Sequence, residues 1–254
     1  MKKIFTLIAM ALMAVGANAQ TPESFIPTVG TTYTGLQEVS TTNCKLVFGD
    51  DTYSAAAAKS HKAYIKSIGL STTEAEEGKD RYVLVSGTSN PIDNQSPSSA
   101  YSPDKKNLPV KGVYYTLTPS KAGKMIVGII LNANKAFYIV KKSTCEPLAI
   151  SDVTLTVDGD TPASETYNEN YTTANKVTGT ASFDVVANET YYVFSNGSKL
   201  GFFGYVFTPS STDGIAGVKV AAEQNAPAYN LAGQKVDKSY KGVVIQNGKK
   251  MIRK

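Results

Sequence analysis

Residues 181–209 constrain the fold more than any other stretch, because they hold three aromatic-rich apolar runs separated by turn residues. The runs are Ser182–Ala187, Thr190–Ser195 and Leu200–Thr208, with Asn188-Glu189 and Asn196-Gly197 between them. Asn-Gly between apolar runs is a strong hairpin signal, because a type I′ turn requires positive φ at both central residues. The sequence therefore predicts three consecutive strands, the last two joined in a hairpin at Asn196-Gly197.

Side chains alternate along a strand, so a two-residue turn divides this hairpin into two faces. One face carries Tyr191, Val193, Leu200, Phe202, Gly204 and Val206. The other face is strongly aromatic and carries Tyr192, Phe194, Lys199, Gly201, Phe203, Tyr205 and Phe207. Two interpretations are open: both faces are covered, as in a central strand pair, or the aromatic face is partly open and stacks on a sugar ring.

On the open-face interpretation, the ligand-binding residues are Tyr192, Phe203 and Tyr205. Tyr101 joins them as a candidate because it lies in a long irregular loop, residues 88–109, and long loops in compact domains are often functional. The sequence contains fifteen Tyr and nine Phe but no Trp, which is otherwise a preferred stacking platform.

The rest of the chain predicts an all-β protein, a jelly-roll-like β-sandwich over residues 20–209. Short strands are expected at Lys45–Phe48, Arg81–Ser86, Gly112–Pro119, Lys124–Leu131, Ala136–Lys142 and Ser151–Val157. Lys124–Leu131 is apolar on both faces, which is typical of a strand buried between layers. Residues 54–69 are ambiguous, because the run Ala55–Ala58 favours a helical turn and the alternation that follows favours a strand.

The N-terminal residues 1–19 have the pattern of a secretory signal peptide. Lys2 and Lys3 precede the apolar run Ile4–Val15, and Ala17-Asn18-Ala19 forms an A-x-A cleavage site. The sequence thus predicts a secreted or cell-surface protein that does not span the membrane. The formal charge of +5 falls to +3 when both lysines are removed, and no block of Lys and Arg suggests a nucleic-acid partner.

Cys44 and Cys145 are the two cysteines. An exported chain meets an oxidising compartment, so a disulfide between them is one alternative. Two buried free thiols are the other, because cysteine is among the most buried residue types.

Catalytic and metal-binding signals are sparse. His61 is the single histidine, so a zinc site or a Ser-His-Asp triad has few candidates, and the sequence has no phosphate-binding loop. A catalytic pair of carboxylates is recognised by geometry rather than by motif, but the Asp and Glu residues of this chain lie mostly in polar loops, where solvated charges are the usual case. We therefore expect no enzyme activity, no metal and no cofactor.

Residues 210–225 have the composition of a linker, and residues 226–254 form a short β-rich tail. The tail contains Tyr229–Val236, Lys241–Ile245 and Asn247–Lys250. These segments resemble the C-terminal sorting tail of Bacteroidetes proteins exported by the type IX secretion system. In that resemblance the motif residues are Leu231, Gly233, Val236, Gly242, Gly248, Lys249 and Lys250, and the implied partner is the secretion machinery.

Residues 112–209 also resemble β-sandwich modules of secreted Bacteroidetes proteins that accompany polysaccharide-degrading enzymes. That resemblance implies a non-catalytic, carbohydrate-binding-like module whose partner is a polysaccharide. A structural or adhesive surface protein without a small ligand is the alternative, and a polysaccharide lyase or hydrolase is a third, less favoured one.

Overall fold

The computed structural model describes residues 21–58, 70, 82–93, 101–157, 163–210, 228–230, 232–237, 239–246 and 249–253. The predicted signal peptide, His61, Leu231, Gly248 and nearly all of the predicted linker lie outside these residues. The chain divides into two compact units, residues 1–210 and residues 211–254.

The regular secondary structure of the described residues is almost entirely strand, with one short 3-10 helix at Ile150–Asp152. The strands of the first unit are β1 (Glu23–Phe25), β2 (Thr32–Tyr33), β3 (Glu38–Ser40), β4 (Cys44–Phe48), β5 (Tyr53–Ala58), β6 (Tyr82–Gly87), β7 (Ile92–Asp93), β8 (Pro109–Lys111), β9 (Tyr115–Pro119), β10 (Gly123–Leu131), β11 (Phe137–Lys141), β12 (Glu146–Pro147), β13 (Thr154–Val157), β14 (Ala163–Glu165), β15 (Val177–Val185), β16 (Tyr191–Ser195) and β17 (Gly201–Pro209). Those of the second unit are β18 (Ala228–Asn230), β19 (Lys235–Val236), β20 (Gly242–Gln246) and β21 (Lys249–Arg253).

The first unit is a sandwich of two antiparallel sheets. The first sheet has the order β14-β13-β15-β10-β17-β6-β5-β2, with β1 also paired to β17, and the second has the order β12-β11-β16-β9-β4-β3. Eight of these strands can be numbered one to eight in chain order, namely β6, β9, β10, β11, β12, β15, β16 and β17. The first sheet then contains the order 1-8-3-6 and the second the order 2-7-4-5, which is the jelly-roll topology. The predicted fold class is confirmed.

One aromatic-rich core fills the space between the two sheets. Tyr115 of the second sheet stacks on Phe202 of the first, with ring centroids 4.4 Å apart. Phe183 of the first sheet contacts Tyr191 of the second at 5.7 Å. Burial of these large rings adds to the apolar area that drives the sheets together.

β10 lies at the centre of the first sheet, between β15 and β17. Its inward residues Met125, Val127 and Ile129 are fully buried in the main core. Its outward residues Ile126 and Ile130 pack with Leu70 in a second, smaller cluster. A strand that is covered on both faces is what its continuous apolar sequence predicted.

The alanine run is a strand and not a helical turn. Ala55–Ala58 belongs to β5, which pairs with β6 over six residues. This pairing at the side of the first sheet overrides the helical preference of alanine, as tertiary contacts commonly do.

The predicted hairpin at Asn196-Gly197 is wrong. β16 pairs with β9 and β11 in the second sheet, whereas β17 pairs with β10, β6 and β1 in the first. Gly197 has φ +68°, but Asn196 does not have positive φ, so the turn is not the type I′ turn that the sequence suggested. The segment instead carries the chain from one sheet to the other.

A β-bulge in β17 changes which side chains face the core. Gly128 pairs with Gly204 and Ile129 with Phe202, so Phe203 has no partner of its own. Gly204 adopts φ +108°, where a residue with a Cβ is strained. Phe202 and Tyr205 therefore both enter the main core, although strict alternation places them on opposite faces.

The second unit contains one antiparallel sheet in the order β19-β18-β20-β21. β18–β19 and β20–β21 are hairpins, and β18 and β20 pair in the middle. Val244 and Ala228 are buried on one face of this sheet.

Candidate functional site

The outer face of the second sheet carries the candidate site. A ladder of paired residues runs across it in the order Glu38, Val47, Thr116, Tyr192, Val140 and Pro147. Directly paired residues of antiparallel strands project to the same face. Tyr192 is half-buried near the middle of this ladder, so one aromatic ring is accessible in the body of the sheet.

Hydroxyl groups border Tyr192 on one side. Thr118 and Thr190 are hydrogen-bonded to each other through their Oγ1 atoms at 2.9 Å, and both are half-buried. Lys45, which pairs with Thr118, lies 3.6 Å from the Glu38 carboxylate in an exposed ion pair. This side of the site therefore presents hydrogen-bond donors and acceptors beside an aromatic ring.

A tyrosine cluster borders Tyr192 on the other side. We define the cluster as Tyr101, Tyr114, Tyr138, Tyr171, Tyr192 and Phe194. Tyr192 stacks on Tyr114 with ring centroids 5.6 Å apart, and Tyr138 contacts Tyr101 at 4.9 Å and Tyr171 at 5.1 Å. Contacts of this kind hold the rings in fixed orientations.

The hydroxyl groups of Tyr138, Tyr171 and Tyr192 make no hydrogen bond within the described residues, and none of them is a buried unpartnered atom. Their tips therefore reach solvent while the rings stay packed, which is the usual amphipathic arrangement of tyrosine. Burial raises the pKa of Tyr192 and of Tyr138. Both hydroxyls remain protonated at neutral pH and can donate as well as accept.

Tyr101 supports the cluster and does not provide a contact surface. Its side chain is buried, with 4% of its surface exposed. Its hydroxyl donates to the carbonyl oxygen of Cys145 (3.0 Å), and its own carbonyl accepts from Asn196 Nδ2 (2.7 Å). The structure thus places the Tyr101 ring inside the cluster, where it anchors the surrounding chain and offers no stacking surface.

Tyr114, Tyr138 and Tyr171 are members of the cluster that the sequence analysis did not name as candidates. Asn168 Oδ1 accepts from the backbone N–H groups of Asn170 (2.9 Å) and Thr172 (3.2 Å), which closes a tight turn around Tyr171. Tyr171 consequently adopts φ +58°, an unusual conformation for an aromatic residue that directs its ring onto Tyr138. The sequence signal available was Asn168 followed four residues later by Thr172, a side-chain pattern that favours turns.

Phe203 and Tyr205 are not at a surface, so their prediction as ligand-binding residues is wrong. Phe203 is fully buried on the outer face of the first sheet, packed with Leu70. Tyr205 is fully buried between the sheets, and its hydroxyl lies 3.1 Å from Thr41 Oγ1. The bulge at Gly204 separates these two rings, and the change of sheet after β16 separates both from Tyr192.

A shallow recess too small to hold a water molecule lies beside the cluster, lined by Pro91, Ile92, Tyr101, Pro109, Phe194 and Asn196. Among the described residues, Asn196 Oδ1 is the one buried side-chain polar atom without a hydrogen-bond partner.

Cys44 and Cys145 are free thiols in the structure. Cys44 is buried in β4, and burial raises the pKa of its thiol to about 12. Cys145 is half-buried in the turn between β11 and β12. Both thiols are therefore free, as the second alternative expected, but of the two only Cys44 is fully buried.

Most of the residues of the predicted sorting motif lie in the sheet of the second unit. Gly233, with φ +78°, lies in the turn between β18 and β19, and Val236 ends β19. Gly242 begins β20 with φ +136°, and Lys249 and Lys250 begin β21.

Comparison of the chain with protein-family models, curated proteins and solved structures found no match. Within the described part of the chain, no group of three or more His, Cys, Asp or Glu residues is arranged so that it could hold a metal ion. Over the same residues, every helix is too short or too polar to cross a bilayer.

Proposed function

We propose that the sandwich is a non-catalytic, carbohydrate-binding-like module of a secreted or cell-surface protein, and that it contacts a polysaccharide through the outer face of the second sheet. One observation carries the proposal. Tyr192 is a half-exposed ring held in the body of that face, with threonine hydroxyls on one side and solvent-reaching tyrosine hydroxyls on the other.

The chemistry of this face suits a sugar. A pyranose ring has an apolar face that packs on an aromatic ring and a rim of hydroxyl groups that exchange hydrogen bonds. Tyr192 offers the apolar surface, and Thr118, Thr190 and Tyr138 offer groups that both donate and accept. Stacking by Tyr114 on Tyr192 restrains the ring, so little side-chain entropy is lost when a ligand binds.

The proposal is non-catalytic because of the character of the nearby acids. Glu38 is exposed at the end of the ladder and paired with Lys45. Glu189, beside Thr190, accepts hydrogen bonds from the backbone N–H groups of Ser143 and Thr190, and its pKa lies below the ordinary value. Glycoside hydrolysis uses two carboxylates that flank the scissile bond, one of them held protonated by its surroundings. Release of reducing sugar, or absorbance from an unsaturated product, on incubation with polysaccharides would favour a hydrolase or a lyase instead.

The test compares Tyr192→Ala with Tyr192→Phe on a glycan array, followed by calorimetric titration of the best ligand. We expect Tyr192→Ala to weaken binding by about tenfold or more, equivalent to about 1.4 kcal/mol, because the stacking surface is lost. Tyr192→Phe should retain most of the affinity. Tyr229→Ala, which removes an exposed tyrosine of the second unit, is the matched control and should leave the affinity unchanged.

A structural or adhesive surface protein is the second candidate, and the closed packing of the cluster favours it. Val140 and Phe194 are fully buried, and 7% of Tyr138 is exposed, so the accessible part of the face is small. The two candidates separate in the same experiment. If no glycan on the array binds and Tyr192→Ala changes only the melting temperature, the cluster serves the stability of the sheet.

We also propose that residues 226–254 are a sorting tail read by a secretion machinery of the type IX kind found in Bacteroidetes, after residues 1–19 direct export across the inner membrane. The sequence resemblance motivates the proposal, and the compact unit formed by residues 211–254 supports it. A chain without residues 226–254 should accumulate in the periplasm when the producing cells are fractionated. Normal arrival of that chain at the surface or in the medium would remove the sorting role.

A further inference from the structure

The sheet of the second unit has an exposed apolar face. Tyr229 pairs with Ile245, and Val243 pairs with Ile252. Paired residues and residues two apart on one strand project to the same side, so these four side chains share one face. Tyr229 and Ile245 are each 41% exposed and Ile252 is 73% exposed. We call these four residues the tail face.

Lysine residues border the tail face on both outer strands. Lys235 of β19 pairs with Tyr229, and Lys250 of β21 pairs with Ile245. A row of Lys235, Tyr229, Ile245 and Lys250 therefore crosses all four strands, a width of about 14 Å at the usual strand spacing. Both lysines are exposed, and their long apolar stems allow the ammonium groups to extend past the neighbouring rings and methyl groups.

The basic charge of the protein is concentrated in this region. Residues 228–254 contain seven Lys or Arg and one Asp, a side-chain charge of +6. Residues 20–210 contain sixteen Lys or Arg and eighteen Asp or Glu, a charge of −2. A charge asymmetry of this size indicates an anionic partner for the basic part of the chain.

The apolar residues decide which anionic partner fits. Nucleic acid would use the lysines but has no contact for Ile245 and Ile252, since its affinity rests on phosphates and base stacking. The interfacial region of a bilayer accepts branched apolar side chains and tyrosine rings at the depth of the headgroups, and anionic lipids attract the surrounding lysines. Apolar residues in the middle of the row and lysines at its ends match that layered environment.

We propose that the tail face docks on the surface of an anionic lipid bilayer. Tyr229, Ile245 and Ile252 enter the headgroup region, and Lys235 and Lys250 contact lipid phosphates. The contact is peripheral and is separate from glycan binding by the sandwich.

The test is sedimentation of the chain from Gln20 onward with vesicles of phosphatidylcholine, with and without phosphatidylglycerol. Residues 1–19 are omitted because their apolar run would itself insert into a bilayer. We expect the protein to sediment with the vesicles that contain phosphatidylglycerol, and added salt to release it because exposed charges are screened. Ile252→Asp should weaken the binding by about tenfold or more, since an apolar contact is replaced by a like-charged one.

Two further variants make the result decisive. Ile252→Thr keeps a β-branched side chain suited to a strand and should also weaken vesicle binding while the circular dichroism spectrum is retained. Val110→Asp changes an exposed valine of the sandwich (42% exposed) and should leave binding unchanged. Equal sedimentation with neutral vesicles would overturn the proposal. Binding to soluble poly-L-glutamate that is as tight as vesicle binding and insensitive to Ile252→Asp would also overturn it, in favour of an acidic protein partner.

Discussion

The Tyr205 hydroxyl group shows how the core accommodates a polar atom. The Tyr205 hydroxyl oxygen lies 3.1 Å from Thr41 Oγ1 and 3.3 Å from the carbonyl oxygen of Cys44. Cys44 begins β4 of the second sheet and Thr41 lies just before it, whereas the Tyr205 ring belongs to the first sheet. Burial raises the pKa of Tyr205 far above that of a free tyrosine, so the hydroxyl stays neutral. A ring that looks like a binding platform in the sequence thus links the two sheets.

The two thiols differ in accessibility, and this predicts their reactivity. In the native protein at pH 8, Ellman's reagent should modify Cys145 and leave Cys44 unmodified, because Cys44 is buried and the pKa of its thiol is raised to about 12. Denaturation should expose a second reactive thiol. A Cys145→Ser variant should show no reaction until it is unfolded. Absence of any thiol in the denatured, unreduced protein would instead indicate a disulfide.

Asp51 connects two loops of the sandwich through one carboxylate. Oδ2 accepts from the backbone N–H groups of Thr88 and Ser89, both at 2.9 Å, and Oδ1 accepts from the backbone N–H of Thr52 (2.7 Å). Partial burial raises the pKa of Asp51, but the hydrogen bonds outweigh this effect, so the pKa lies below its ordinary value. The ionised carboxylate is therefore the form that the fold stabilises.

Asp51→Asn should lower the free energy of unfolding by about 1–2 kcal/mol at pH 7, because an amide NH₂ cannot accept from two N–H donors. A group whose pKa is depressed in the folded state adds stability above its unfolded pKa and loses it as the pH falls through the folded pKa. The difference between wild type and variant should hence disappear in acid. Urea unfolding at pH 7 and at a pH below the pKa of Asp51 in the folded protein measures it. Asp184→Asn, which removes only an exposed ion pair with Lys124, should have little effect at either pH.

At the scale of one element, the bulge in β17 lies directly against the backbone of β1. A Cβ on Gly204 would lie 2.1 Å from the carbonyl oxygen of Phe25 in β1, in a backbone with φ +108°. Gly204→Ala should therefore displace β1 and lower the free energy of unfolding by at least about 2 kcal/mol. Gly197→Ala is the control, since a Cβ there meets no atom within 4 Å and only its φ of +68° is unfavourable. It should cost about 1 kcal/mol in chemical denaturation.

Local pattern was sufficient to predict the strands themselves. β10, β11, β16 and β17 lie at or very near the predicted residues, because apolar runs bounded by turn residues form strands wherever they are placed. It was insufficient to predict their partners. The segment Asn196-Gly197 crosses between sheets because β9 and β11, and not β17, occupy the two edges of β16. Both of those strands lie more than 50 residues before Asn196, so a local pattern does not reveal them.

The candidate site was predicted only in part for the same reason. Tyr192 lies where alternation places it, on the face opposite Tyr191. Phe203 and Tyr205 do not, because one bulge residue shifts the alternation and no sequence rule locates a bulge beyond the presence of Gly204. Tyr138 and Tyr171 come from two other segments of the chain, and only the pairing of β11 with β16 and the turn at Asn168 bring them to Tyr192.

At the scale of the whole molecule, the two units should unfold separately. β18 to β21 pair with one another in a sheet of their own. A chain ending at Ser210 should retain the cooperative transition of the sandwich with a melting temperature within about 2 °C of the longer chain, as expected for independent units. Scanning calorimetry of both chains measures it. Loss of the cooperative transition would show that residues 211–254 are required for the sandwich to fold.

The position of β17 also determines when the sandwich can fold. β17 is the last strand of the first unit, yet it lies between β10 and β6 and also pairs with β1. Until residue 209 has left the ribosome or a translocation pore, β6 and β10 have no strand to connect them, and the first sheet remains in two pieces. Contacts so distant in sequence form slowly and late. The sandwich therefore closes only after β17, its final strand, has emerged from the ribosome.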